Sequence, residues 1–145
     1  MMRQVKAERS RVRHSSPSVL IVEDDATVAQ AAVEAIEAVG YQTIWARDGW
    51  QALQELKQEQ PAVFLVDLSL PGMSGSEFLR ILRNNPTWSR IPRVIMTGTN
   101  DPMIGVREDA PVFYKPLDIN SLVAAVERYC DRSRPGLSAF RMGHS

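Results

Sequence analysis

The stretch Ala62-Val-Phe-Leu-Val-Asp67-Leu-Ser-Leu-Pro-Gly72-Met-Ser-Gly75 decides the fold. Val63–Val66 is an unbroken apolar run, the pattern of a strand buried on both faces of a parallel sheet. It ends at Asp67, a carboxylate that an apolar core does not accept unpaired. Pro71-Gly72 marks a loop, and Ser74 is placed to cap a helix starting near Gly75. Asp67 is thereby predicted at the carboxyl end of a central strand, where open α/β sheets hold their ligands.

The same punctuation recurs on both sides. Val19–Val22 is a second apolar run, closed by Glu23-Asp24-Asp25, and Ala26–Val39 follows with Val28, Ala32, Ala35, Ile36 and Val39 at helical spacing. Gly40 is placed to end that helix. Tyr41–Ala46 reads as a strand, and a helix begins at Asp48 and stops before Pro61. Beyond Asp67, a helix from Gly75 to Asn84 is broken by Asn84-Asn85-Pro86. Ile91–Met96 is the fourth strand, ending at Thr97-Gly98. Asn100-Asp101-Pro102 has the form of a cap and first-turn proline for a short helix over by Glu108. Val112–Tyr114 is the fifth strand, ending at Lys115-Pro116. Asp118 or Asn120 caps a last helix with Leu122, Val123, Val126 and Tyr129 inward.

Five strands alternating with five helices predict an α/β, flavodoxin-like, doubly wound (βα)5 fold: a parallel sheet in order 2-1-3-4-5 with helices on both faces. Residues 18–132 form the domain. Residues 1–17, with Arg3, Lys6, Arg9, Arg11 and Arg13 against Glu8, read as a basic disordered tail, and residues 133–145 as a second tail.

Composition narrows the function classes. Seventeen basic residues balance 17 acidic ones, so net charge argues for neither nucleic acid nor a membrane surface. The single cysteine, Cys130, allows no internal disulfide and no thiolate metal cluster. No apolar run spans a bilayer and no signal-peptide core opens the chain, so a cytoplasmic protein is expected. Nucleotide-binding glycine loops follow none of the strands.

In the 2-1-3-4-5 order, one sheet edge collects Glu23 and Asp24, Asp67, Thr97 and Lys115. Each alone has an ordinary structural reading, as a helix cap, a strand end or a surface turn. Together they form a chemical set. Three clustered carboxylates repel unless a cation lies among them, and oxygen ligands of this kind suit Mg²⁺. A carboxylate beside such an ion is a nucleophile towards phosphorus. Lys115 and Thr97 supply a positive charge and a hydroxyl to phosphoryl oxygens.

Those pieces, with Leu70-Pro71-Gly72 and Gly75 after Asp67 and with Lys115-Pro116, resemble the receiver domain of two-component response regulators over Ser18–Arg132. The resemblance implies that Asp67 is the phosphoacceptor, receiving phosphoryl from a histidine kinase or phosphotransfer protein. It implies an acidic metal pair, with Asp24 the direct ligand and Glu23 acting through water, and Asp67 and the Ser69 backbone carbonyl completing the set. Thr97 is then the switch hydroxyl and Lys115 the phosphoryl contact, with the Lys115-Pro116 bond cis as is usual in the family. Asp25 is read as the helix cap. Ser69 and Thr99 are expected to border the path of hydrolytic water.

Two departures bear on output. The family's aromatic residue three positions before the lysine is replaced by Val112, and Tyr114 lies nearer the strand end. Seventeen residues separate Thr97 from Lys115, fewer than usual, and the lost length falls in the fourth helix. The leading expectation is a stand-alone receiver, not an enzyme with its own catalytic domain, that alters protein–protein contacts on phosphorylation. Its expected partners are the phosphodonor and a downstream protein, with no DNA-binding domain, no membrane span, and a monomeric or weakly dimeric state. The alternative is a binding or scaffold module of the same fold whose output is independent of phosphorylation. A Mg²⁺-dependent phosphatase of the haloacid-dehalogenase type is disfavoured, because Ser69 stands where its second aspartate is required.

Overall fold

The computed structural model describes residues 17–70, 72–99 and 103–133. Among them strands and helices alternate strictly: β1 (Ser18–Val22), α1 (Ala26–Ala38), β2 (Gln42–Ala46), α2 (Gly49–Leu56), β3 (Val63–Asp67), α3 (Gly75–Arg83), β4 (Arg93–Thr97), α4 (Ile104–Glu108), β5 (Val112–Tyr114) and α5 (Ile119–Ser133). The strands form one parallel sheet in the order β2-β1-β3-β4-β5, as the apolar runs predict.

Alternate residues of the central strands serve opposite cores, which is why those strands carry no polar residue between their ends. Leu20, Val22, Phe64 and Val66 pack against Phe78 and Leu79 of α3 and Ala52 of α2. The Phe64 and Phe78 rings meet edge to face, with centroids 6.0 Å apart. Val19, Ile21, Val63 and Leu65 face the other way, onto Ile36 of α1 and Leu122 of α5. Each such fully buried side chain contributes about 1.5–3 kcal/mol of hydrophobic stabilisation.

The caps read from sequence are made. Asp25 Oδ1 accepts from the amides of Thr27 and Val28, Asp48 from Gln51, and Ser74 Oγ from Glu77. At α5 the choice falls on Asp118, which accepts from the Ser121 hydroxyl at 2.8 Å. α4 is five residues long and ends at Glu108, as the residue count required. The expected Asn100–Pro102 cap and both tails, apart from Pro17 and Ser133, which ends α5, fall outside the described residues.

Two local expectations fail. β4 begins at Arg93 rather than Ile91, because a 3-10 turn occupies Trp88–Arg90. Asn85 Oδ1 starts that turn by accepting from the amides of Thr87 and Trp88. The buried Arg93 guanidinium closes it, donating to the Ser89 and Ile91 carbonyls. Val39 is 40% exposed and outside α1, and Ala29 takes the inward place in the helix's first turn. Gly40, at φ 98°, turns the chain out of the helix. No helix among the described residues is long and apolar enough to cross a membrane.

Candidate functional site

Parallel register places the reactive groups. Val22 lies beside Val66, so the residues that follow, Glu23 and Asp67, leave the sheet side by side. Asp67 is in turn level with Met96, and Thr97 with Tyr114, which sets Lys115 one residue beyond the edge. Carboxylate oxygens of Glu23, Asp24 and Asp67 lie within 4.8 Å of one another. Glu23 and Asp67 are buried and Asp24 is exposed, so the cluster has two inner carboxylates and one facing solvent.

Lys115 Nζ bridges the inner pair, 3.0 Å from Glu23 Oε1 and 3.1 Å from Asp67 Oδ2. The Lys115-Pro116 bond that starts the following loop is cis. Burial lowers the lysine's proton affinity, but the Glu23 and Asp67 carboxylates outweigh it and hold its pKa above the ordinary value. Burial acts the other way on Glu23. It pushes the carboxyl up to about 7, against the opposing pull of the Asp25 amide and Lys115.

The backbone fixes both carboxylates from behind. Glu23 Oε2 accepts from the Asp25 amide at 3.0 Å, and the Trp45 indole donates to the Glu23 carbonyl at 2.8 Å. Asp67 Oδ1 accepts from the Ser69 amide at 2.9 Å, which leaves Oδ2 to Lys115. Gly75, the first residue of α3, lies so close to the end of β3 that a Cβ there would sit 2.4 Å from the Asp67 carbonyl oxygen.

The oxygen-only donor set can hold a hard divalent cation. Glu23 Oε1, fully buried, pairs with Lys115 by charge but has no hydrogen-bond partner, so it keeps lone-pair capacity for a further ligand. With all three ionised, the carboxylates against one ammonium would leave two negative charges, which one divalent ion would balance.

Thr97 is buried at the end of β4, as predicted, but its hydroxyl is bonded to Thr99 and not to Asp67. Sequence reading placed Thr99 near the site and missed this contact; the Thr-Gly-Thr spacing, typical of hydroxyl-closed turns, was its only trace. Val112 packs half-buried against the core beneath α4, and its Cγ2 would meet a Cβ at Gly105 at 3.3 Å. Tyr114 on the same strand is 42% exposed. A groove of about 730 Å³ runs from Ser69 and Thr99 along α3 and α4 to Arg83 and Glu108.

The profile of the response regulator receiver domain matches residues 19–127. The DNA-binding response regulator MtrA of Mycobacterium tuberculosis is 35% identical over 112 residues, covering 74% of this chain and 48% of that protein. The phosphate regulon transcriptional regulatory protein PhoB of Pseudomonas aeruginosa is 32% identical over 123 residues, covering 82% and 54%. Among solved structures, the signal receiver domain of a signal transduction histidine kinase from Syntrophus aciditrophicus superposes with a TM-score of 0.73 at 30% identity, over 83% of this chain and 94% of that one. The chain thus spans about half the length of the curated relatives it matches. The expectation of a partner set without a DNA-binding domain does not stand: relatives about a third identical over the aligned residues are named as DNA-binding response regulators. The expected fold, the order of its strands and the acidic cluster at their ends all agree with one conclusion, that the chain belongs to the response regulator receiver domain family of two-component systems.

Proposed function

We propose that the domain, residues 18–132, is a phosphorylation-dependent switch whose phosphoacceptor is Asp67. The observation that carries this reading is the Lys115 ammonium held between Glu23 and Asp67 at the ends of three parallel strands. An ammonium so placed stabilises charge on a phosphoryl oxygen without side-chain rearrangement at the moment of transfer. Asp67, oriented by the Ser69 amide, attacks phosphorus through a carboxylate oxygen. A phosphorus–oxygen bond forms as the bond to the donor imidazole nitrogen of a histidine kinase or phosphotransfer protein breaks, and the electron pair leaves with the nitrogen.

Glu23, Asp24, Asp67 and the Ser69 carbonyl are the groups that would hold Mg²⁺, with Asp24 direct and Glu23 through water. When bound, Mg²⁺ supplies positive charge against the oxygens of the transferring group. Thr97 and Lys115 then bind the product, and the altered charge shifts a two-state equilibrium of the surrounding loops and the contacts they make. The protein assists its own phosphorylation and hydrolysis in this scheme.

Intact mass after incubation with acetyl phosphate and Mg²⁺ tests the assignment. Wild type is expected to gain one phosphoryl group, and Asp67→Asn none. A gain retained in the folded variant would overturn it. A second reading, a binding module with phosphorylation-independent output, is favoured by Val112 and by the five-residue α4. It predicts partner binding unchanged by Asp67→Asn.

A further inference from the structure

Among the described residues, the fully buried Thr97 hydroxyl has one partner residue, Thr99. The Thr99 amide donates to Thr97 Oγ1 at 3.1 Å, and the two hydroxyl oxygens are 2.9 Å apart. A threonine hydroxyl has one proton to give. Either hydroxyl can be the donor of this pair; with the Thr99 amide occupying one lone pair of Thr97 Oγ1 and Thr99 Oγ1 the acceptor at hand, the arrangement that satisfies the buried Thr97 hydroxyl has it donating to Thr99. A buried hydroxyl does not leave a bond of this kind unmade.

We propose that Thr99 is a positioning residue that latches the Thr97 hydroxyl away from Asp67 and so sets the threshold for switching. The inference rests on the phosphoacceptor reading above and deepens it. A phosphoryl oxygen is a charged acceptor and outcompetes a neutral hydroxyl for the same proton. The latched population nevertheless lowers the apparent affinity for the phosphoryl group by the fraction of molecules in which Thr97 is unavailable. Local structure permits the exchange. Thr99 is exposed, so its freed oxygen passes to water, and the intervening Gly98 has no atom within 4 Å of its Cβ position, so the turn can move. Thr99 also borders the α3–α4 groove, so the partner exchange at Thr97 is felt on the surface.

The test is calorimetric titration of the 145-residue chain with beryllofluoride, a phosphoryl mimic, in Mg²⁺. Thr99→Val keeps the shape and the amide bond and removes the acceptor. It is expected to bind about fivefold more tightly than wild type, the equilibrium worth of one neutral hydrogen bond. In a Thr97→Val background the same change is expected to have no effect, because the latch then has nothing to hold. Amide exchange gives an independent readout: the Thr99 N–H should exchange faster on beryllofluoride binding in wild type. Equal or weaker binding by Thr99→Val, with wild type binding normally, would overturn the latch alone. Folded wild type that takes up no beryllofluoride would overturn the phosphoacceptor reading and the latch with it. A change confined to the rate of dephosphorylation would make Thr99 a border of the water path only, and would also overturn the latch.

Discussion

At the scale of the residue, two glycines near the site have opposite meanings. Gly75 opens α3 directly against the end of β3, and a Cβ there would meet the Asp67 carbonyl oxygen and Leu68 Cα at 2.4 Å each. These are backbone atoms of the strand that aims Asp67, so they yield only if the carboxylate moves. Gly75→Ala is expected to cost about 1–3 kcal/mol in urea unfolding, and to slow phosphoryl uptake as well. Gly98, with open space at the Cβ position, has no such duty. Gly98→Ala is expected to be neutral or to stabilise by about 0.5 kcal/mol, because it restricts the unfolded chain and strains nothing. If the two variants had equal stabilities, close packing at Gly75 would not be what positions β3. The sequence singled out Gly75 only as the start of a helix. That it presses on the end of the strand carrying Asp67 is a tertiary fact with no local signature.

Among the elements, α4 depends most on its neighbours. Five residues are too few for a self-supporting helix. It is held by Ile104 in the core and by Arg83 of α3, whose Nη1 donates to both carboxylate oxygens of Glu108 at 2.8 and 2.9 Å. Glu108 is far less exposed than Arg83, so the pair is screened less than an ordinary surface bridge. A double-mutant cycle of Arg83→Ala and Glu108→Ala should give a coupling of about 0.5–1 kcal/mol. Amides of residues 104–108 should exchange faster in either single variant while those of β3 do not. Coupling near zero would mean that the Arg83–Glu108 pair does not hold α4.

Elements of this kind were legible to different degrees. The central strands announced themselves as apolar runs because both faces are buried, and the shortness of α4 followed from counting residues between Thr97 and Lys115. The start of β4 was not legible. Ile91 looks like strand, but Asn85 and Arg93 together wind the preceding residues into a 3-10 turn, and the buried arginine's acceptors are backbone carbonyls that no sequence pattern displays. At the site, types and spacing located Glu23, Asp24, Asp67 and Lys115, since register alone brings strand ends together. The direction of the Thr97 hydroxyl depends on a rotamer and a turn, and spacing is silent about both.

On the scale of the whole molecule, the first and last helices close the fold. α1 and α5 lie on one face of the sheet, sharing a core that includes Ile36, Leu122 and Val126. Tyr41, just before β2, donates its hydroxyl to Asp131 of α5, and both residues are buried. This joins positions 90 residues apart in sequence, so it forms only when both halves are docked. Tyr41→Phe keeps the ring and removes the donor. It is expected to lower stability by about 1–2 kcal/mol, seen as a reduced urea midpoint with an unchanged slope. An unaltered midpoint would mean that water replaces the phenol without loss.

The ammonium between Glu23 and Asp67 comes from beyond the last strand, 48 residues after Asp67. Ribosomal synthesis therefore delivers the mutually repelling acids first and their shared counter-ion last. A nascent chain that has emerged only as far as β4 has Asp67 but not the ammonium that offsets one charge of the inner pair. Under the proposed function, such a chain does not respond to a phosphodonor that depends on that charge. In that sense the position of one lysine ties the charge balance of the acidic cluster to synthesis of the chain past its fifth strand.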